Sequence, residues 1–161
     1  MARQFSMPAI IPPVSLLPPA ADAVGRTGSY RSLKNGQKAY IVARVNQGNA
    51  AQVTFTPLQA KDISGTASKA INAVPIWLDA DTSLSDALVV QTAAASFQTS
   101  VATTDKIVVF ELLPEAALDV ANGFDCIALQ TSASNASNIT EASLFILGRY
   151  EQATPPSSYT N

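Results

Sequence analysis

The chain has 161 residues, of which 47% are hydrophobic and 14% are charged, and its formal net charge is −2. This length allows one domain with a substantial core, and the hydrophobic content excludes a disordered chain. No run of about 18 apolar residues is present, so we expect no transmembrane helix and no membrane partner. The ten basic residues are scattered without a basic stripe, which argues against nucleic-acid binding.

Residues 1–25 are predicted to form an extended, proline-rich N-terminal arm. The stretch Met7–Gly25 contains five of the ten prolines, and its single charge is Asp22. Proline fixes φ near the polyproline value and interrupts helices, which also breaks any resemblance to a signal peptide. We therefore expect assembly in a cytoplasm. The arm carries five large aliphatic side chains as candidate partner-binding anchors: Ile10, Ile11, Val14, Leu16 and Leu17.

The energetics of the arm favour ordering on a neighbour. Burying the five anchors contributes roughly 7–15 kcal/mol, while fixing some twenty residues of backbone costs about 20–40 kcal/mol. Proline lowers that cost by restricting the free chain, and pairing with the edge of a partner's sheet adds hydrogen bonds. We therefore expect an arm that is loose in the isolated chain and docks on another chain. The alternative is that it folds back over the edge or core of its own domain.

Residues 26–151 are predicted to form a single all-β domain, a β-sandwich of jelly-roll type. Short apolar runs alternate with turn signals every ten to fifteen residues. The segment 52–58 alternates strictly, with Val53 and Phe55 on one face. A loop containing Gly48 joins it to the segment 38–46, which predicts a hairpin. The other predicted strands are 29–33, 69–78, 87–97, 106–113, 125–131 and 142–151.

Little else in the chain is regular. Pro114 at a first helical position and Gly123 as a stop predict one or two helical turns within 114–123. Residues 152–161 are predicted to be a polar C-terminal tail. The low charge has two explanations, namely a drift toward small residues or a surface largely covered by other subunits, because the cores of interfaces are depleted in charge.

The residues needed for common catalytic chemistry are scarce. The chain has no histidine, which removes histidine-containing triads and metal sites. Its one cysteine, Cys126, has apolar neighbours and is interpreted as a small buried hydrophobe. Asp79, Asp81 and Ser83 match the first positions of a calcium loop, but Leu84 occupies the sixth position, where glycine is needed. We therefore predict no catalytic residue, no metal and no cofactor, and we interpret Trp77 as core or interface packing.

Three sequence segments together with a C-terminal one carry a family resemblance. ADAVGRTGSYRSLKN, VNQGNAAQVTFTPLQA and DISGTASKAI fall within residues 18–71, and FILGRYE lies at 144–150. This pattern resembles the head decoration, or capsid cement, proteins of tailed bacteriophages over about half of the chain. The resemblance implies a β-sandwich or jelly-roll body, a homotrimer at a capsid symmetry axis and an N-terminal arm laid on the major capsid protein. The implied location is the outer capsid surface of a virion assembled in a bacterial cytoplasm.

Two other functions remain open. The first is also structural: the chain is a different virion protein, such as a tail or spike component. The other is a carbohydrate-binding β-sandwich module or hydrolase, which requires exposed aromatic side chains in a groove. Most of the eleven aromatic residues lie in strand patterns that bury them, for example Phe55, Phe110 and Phe145.

Overall fold

A computed structural model describes residues 6–150 and 154–161, and it confirms the predicted all-β sandwich. Its strands are β1 (Val14–Ala21), β2 (Arg31–Ser32), β3 (Gly36–Gln47), β4 (Thr54–Ala60), β5 (Lys69–Ala70), β6 (Val74–Asp79), β7 (Val89–Ala94), β8 (Phe97–Gln98), β9 (Asp105–Leu112), β10 (Cys126–Thr131) and β11 (Asn138–Gly148). The helical elements are single turns, α1 (Met7–Ile10), α2 (Pro114–Ala117) and a 3-10 turn at Val120–Asn122. None of the helices in the described ranges is long and apolar enough to cross a bilayer.

Two antiparallel sheets enclose one core. The first sheet has the strand order β1-β11-β3-β9-β6-β7, and the second has the order β2-β10-β4-β5, with β8 also paired to β4. Side chains alternate across each strand, so every second residue of β3 and β9 faces the opposite sheet. The core consists of fully buried aliphatic and aromatic residues from both sheets, among them Leu16, Ile41, Phe55, Ile76, Phe110, Leu129 and Leu144.

The predicted hairpin between residues 38–46 and 52–58 is wrong. β3 pairs with β9 and β11 in the first sheet, whereas β4 pairs with β10, β5 and β8 in the second. The intervening loop crosses from one sheet to the other. In this loop the backbone of Gly48 lies close to that of Ser137, and a Cβ on Gly48 would lie 2.5 Å from the Ser137 carbonyl oxygen. The predicted alternation is confirmed, because Val53 and Phe55 are buried and Gln52 is exposed.

Two predicted strands are each divided between the sheets. The segment 69–78 contains β5 and β6, and the segment 87–97 contains β7 and the start of β8. The break in the second segment falls at 95–96, where the chain passes from one sheet to the other. The short helix predicted within 114–123 is confirmed as α2 followed by the 3-10 turn, which ends at Gly123.

The arm predicted over residues 1–25 is not a separate element. Residues 14–21 form β1, an edge strand hydrogen-bonded to β11, and both Leu16 and Leu17 are buried in the chain's own core. The prolines that argued against a strand are accommodated, because the register of the ladder shifts between Leu17 and Ala20, where Pro18 and Pro19 lie. Proline is tolerated on edge strands and at bulges, where an amide donor is not needed. Residues 1–5 of the predicted arm lie outside the described part of the chain.

The described part of the C-terminal tail packs onto the body. The amide of Ser32 in β2 donates to the carbonyl oxygen of Ser158 at 2.9 Å, and Ser158 is buried. The guanidinium of Arg31 stacks over the ring of Tyr159, 3.9 Å from its centroid. Residues 154–161 therefore cover the edge of the second sheet, while residues 151–153 lie outside the described ranges.

Candidate functional site

The outer face of the six-stranded sheet carries a row of apolar side chains. The strand register places Val90, Trp77, Val109 and Val42 side by side on β7, β6, β9 and β3. Because cross-strand partners share a face of the sheet, these four side chains line up on the side away from the core. Trp77 and Val42 are half-buried, and Val90 is exposed to solvent.

Two aromatic residues extend this row into a patch. Tyr40 on β3 is paired with Phe145 on β11. Tyr40 lies two residues from Val42 along β3, on the same face of the sheet. We call the set the apolar band: Tyr40, Val42, Trp77, Val90, Val109 and Phe145. An open groove of about 560 Å³ lies over most of this band, and Met7 and Ile11 of the N-terminal segment contribute to its wall. The groove is thus bounded by the sheet face on one side and the N-terminal segment on another.

An ion pair borders the groove and orients the tryptophan. The indole Nε1 of Trp77 donates to Glu111 Oε2 at 3.2 Å, and the other carboxylate oxygen of Glu111 pairs with the ammonium of Lys38. The hydrogen bond from Lys38 holds the pKa of the Glu111 carboxyl below its usual 4.5. The same bond raises the pKa of Lys38 above 10.5. Both groups are therefore charged over the neutral range, and Trp77 is held by a carboxylate.

Charged groups are concentrated beyond one end of the apolar band. Arg44 lies on β3 two residues beyond Val42, and its guanidinium pairs with Asp105 at 3.2 Å and with Glu141 at 3.8 Å. These three groups are partly exposed, so each pair contributes little to stability. An apolar centre beside a charged rim is the usual arrangement of a protein–protein interface.

The five predicted anchors fall into two groups. Ile10 and Ile11 are half-buried, and Ile11 lies at the wall of the groove. Val14 is also half-buried, but it packs against the core cluster. Leu16 and Leu17 are core residues, and assigning them to partner binding was therefore wrong. The structure brings to the candidate surface only the part of the predicted arm that precedes β1.

A polar network, partly buried around Asp22, explains why β1 belongs to the body. Arg26 donates to the carbonyl oxygens of Pro18 and Ala20 in β1 at 2.8 and 3.3 Å, and also to Thr140 in β11. Asp22, which is fully buried, accepts a hydrogen bond of 2.5 Å from Thr131 and lies 3.7 Å from Arg26. The VGRTG sequence is thus a structural clamp.

Gly28 completes this clamp. A Cβ at that position would lie 2.1 Å from the carbonyl oxygen of Leu16. The next amide, that of Ser29, donates to the same oxygen at 3.1 Å. Glycine therefore allows the backbone of the clamp to lie directly against β1.

The other candidate residues have structural environments. Cys126 is buried, as predicted, and burial together with a hydrogen bond to Asp125 raises the pKa of its thiol to about 12. The Asp79 and Asp81 side chains accept hydrogen bonds from nearby backbone amides of their own loop. Within residues 6–150 and 154–161, no three histidine, cysteine, aspartate or glutamate side chains are grouped to hold a metal ion.

Sequence reasoning missed most of the apolar band. Phe145 was assigned to the core and Trp77 was left between core and interface, whereas Tyr40, Val42 and Val109 were not singled out. A signal was present in AYIVA at 39–43 and in IVVF at 107–110, where both faces of the strand are apolar. A strand that is apolar on both faces has a second surface to cover.

Comparison with known proteins gives one structural neighbour. No known family model and no curated protein sequence matches the chain. The crystal structure of the SPBc2 prophage-derived protein YomS is similar, with a TM-score of 0.45 and 8% sequence identity. The similarity covers 83% of this chain and 90% of that one.

Proposed function

We propose that the chain is a structural virion protein that decorates and stabilises a bacteriophage capsid by binding the major capsid protein, without catalysis. The observation that carries the proposal is the apolar band, an open apolar surface with aromatic side chains and a charged border. Surfaces of this composition are typical of protein-binding sites, since aromatic residues dominate their energetics. The sequence resemblance to head decoration proteins names the partner class.

The N-terminal segment supports the same interpretation. Residues 6–13 precede β1, and two of their side chains, Met7 and Ile11, stand beside the apolar band. Met7 is exposed and Ile11 is only half-buried, so a partner that covers the groove buries them together with the band. Each buried side chain of this size contributes roughly 1.5–3 kcal/mol. The proposed capsid contact therefore combines a sheet face with a short segment instead of a long free arm.

The low charge of the chain fits repeated binding over a shell. Charged residues make up 14% of the sequence, and none of the six residues of the apolar band is charged. We include self-association in the proposal, because linked copies on a shell gain from effective concentration even when each contact is weak. The homotrimer implied by the resemblance is one form of such an assembly, and a dimer is another.

Cosedimentation with assembled, undecorated capsids tests the proposal. We expect the purified chain to pellet with the shells and the variant Y40A to bind at least about tenfold more weakly, because an interface aromatic is lost. Tyr150 is an exposed tyrosine with no side-chain hydrogen bond among the described contacts, so Y150A is the matched control. Absence of binding to any capsid, or equal binding by Y40A and the unaltered chain, contradicts the proposal.

Two deletions separate the segment from the strand. Removing residues 2–11 leaves β1 intact, so we expect a folded chain with weaker capsid binding. Removing residues 2–22 also takes away Leu16 and Leu17, and we expect this variant to lose its fold because two core side chains are missing. Unchanged binding after the shorter deletion would show that Met7 and Ile11 do not contact the capsid protein.

A carbohydrate-binding module is the second candidate function, and one observation favours it. Trp77 and Tyr40 line an open groove together with the Glu111 carboxylate, and aromatic rings beside a carboxylate are suited to sugar binding. Trp77 is the single tryptophan, so its fluorescence reports directly on this groove. A change in its emission on adding glycans, without capsid binding, supports the second function. A tail or spike location in negative-stain images of virions supports the other structural interpretation.

A further inference from the structure

Exposed apolar side chains are concentrated on β7 and just before it. Val89 and Val90 on this strand are 59% and 60% exposed, and Leu84 and Leu88 just before it are also exposed. Residues 87–104 contain no charged side chain. Such a strand at the edge of a sheet is a template for pairing with another chain, because its outer row of amides and carbonyls has no strand beside it.

The opposite edge of the same sheet is closed. β1 contains Pro18 and Pro19, which have no amide hydrogen to donate. Its carbonyl oxygens are already used by the chain itself: Arg26 donates to those of Pro18 and Ala20, Arg31 to that of Ser15, and the amide of Ser29 to that of Leu16. A strand from a second molecule therefore finds few free groups along β1.

The edges of the second sheet are also protected in the described part of the chain. The C-terminal residues 154–161 lie over β2, where the Ser32 amide donates to Ser158. β5 is two residues long and carries Lys69, which pairs with Asp119 at 2.7 Å. Short strands, lysine side chains and covering segments are the means by which proteins block their edges.

Among residues 6–150 and 154–161, none of these protections is found on β7. It has six residues, no proline and no charge. The one side-chain hydrogen bond described for its backbone is exposed and comes from its own Gln91, whose amide donates to the carbonyl oxygen of Val89 at 3.1 Å. A backbone amide of a neighbouring strand can donate to the Val89 carbonyl oxygen in place of the Gln91 side chain.

We infer that β7 is a self-association edge, at which two copies of this chain pair their β7 strands antiparallel across a two-fold axis. The edge is uncharged and carries an exposed valine on each face, Val89 and Val90, so two copies meet without like-charge repulsion. The closed β1 edge prevents head-to-tail pairing of β7 with β1 of the next copy, so the contact closes as a dimer and does not grow into a fibre. The result is a continuous twelve-stranded sheet.

This dimer also joins the two apolar bands. Val90 is the cross-strand partner of Trp77, so the row of apolar side chains on the outer face reaches the edge of the sheet. Pairing of β7 with its copy places the Val90 side chains of both molecules next to the junction and lengthens the apolar surface. The inference does not depend on what that surface binds.

Light scattering coupled to size exclusion tests the pairing with the full chain. We expect a mass twice the 16.8 kDa of one chain, and a monomer for V90K, because a lysine on each strand places like charges together at the junction. V24K introduces the same charge at an exposed valine outside the sheets, and we expect it to stay dimeric. A monomeric or trimeric unaltered chain, or a dimeric V90K, overturns the inference.

Single cysteines along β7 give a second test that does not require a tolerated charge. The buried Cys126 leaves the native chain without an accessible thiol in its described residues, so oxidation reports on the introduced cysteine. We expect disulfide-linked dimers for one or two adjacent positions among V90C, Q91C, T92C and A93C, because only residues near the two-fold axis meet their copies. Cross-linking of none of them, or equally of the control A20C on β1, overturns the pairing.

Discussion

The guanidinium of Arg26 binds both oxygens of Thr140, donating to its carbonyl at 2.7 Å and to its hydroxyl at 2.8 Å. The same side chain donates to two carbonyl groups of β1 and lies beside the buried Asp22 carboxylate. One residue thus connects the first strand of the chain to the last. The N-terminal strand is held by a polar clamp as well as by its two core leucines.

We expect R26A to destabilise the fold by about 3 kcal/mol or more, because it leaves the buried Asp22 without its cation. The free energy of unfolding, measured by urea denaturation, checks this value. R149A is the matched control: Arg149 pairs with the exposed Glu115, and such a pair contributes at most about 1 kcal/mol. Equal losses for the two variants would contradict the role of the clamp.

We expect L16A to cost about 2–5 kcal/mol of unfolding free energy, as a buried leucine truncated to alanine does. Leu16 is fully buried, whereas Leu84 is 85% exposed, so L84A should stay within about 0.5 kcal/mol of the unaltered chain. Thermal denaturation of both variants compares them. A neutral L16A would restore the interpretation of residues 14–21 as a free arm.

The Glu111–Lys38 pair gives a pH dependence of known sign. Because the pKa of Glu111 is lowered in the folded chain, its contribution is present above pH 4.5 and disappears as the pH falls through the folded-state value. Because the pKa of Lys38 is raised, its contribution is present below pH 10.5 and disappears at higher pH.

We therefore expect the stability difference between the unaltered chain and E111Q to be constant between these limits, at no more than about 1 kcal/mol for a partly exposed pair. It should shrink on acidification. Denaturation curves at pH 3, 7 and 9 measure the difference, and a gap that widens toward pH 3 would be inconsistent with the pair.

Cys126 should be unreactive in the native chain. Burial raises the pKa of its thiol to about 12, so almost no thiolate is present at pH 8 and the sulfur is not accessible. We expect no labelling by Ellman's reagent until denaturant is added, when one thiol per chain reacts. V24C, at a position that is 83% exposed and outside the sheets, should label at once in the native state. Native labelling of Cys126 at the rate of V24C would disprove its burial.

The sequence predicted the sheets better than it predicted their connections. Period-two alternation placed Val53 and Phe55 on the inner face, because it reflects burial within one strand. The predicted hairpin was wrong because glycine in a loop can either form a tight turn or allow a close approach of two backbones. Gly48 allows a close approach to Ser137. The prediction of a free arm was wrong because Pro18 and Pro19 lie at a bulge on an edge strand. That strand forms only by pairing with β11, which is distant in the sequence.

The candidate surface depends on pairing that a linear pattern does not contain. Trp77, Val109 and Val42 are 32 and 67 residues apart along the chain and become neighbours only through the strand order β3-β9-β6. Each residue taken alone is typical of a core strand. The exposure of Val90 likewise follows from β7 being last in its sheet, which local sequence does not reveal.

The pairing of β1 with β11 has a consequence during synthesis. Val14 lies opposite Leu144, so the first strand waits for a partner that is translated 130 residues later (144 − 14). At about 5–20 residues per second, this delay is roughly 7–26 s. During that time the nascent polypeptide exposes Leu16 and Leu17, which makes an early stop of translation before Asn138 a source of aggregation and chaperone binding.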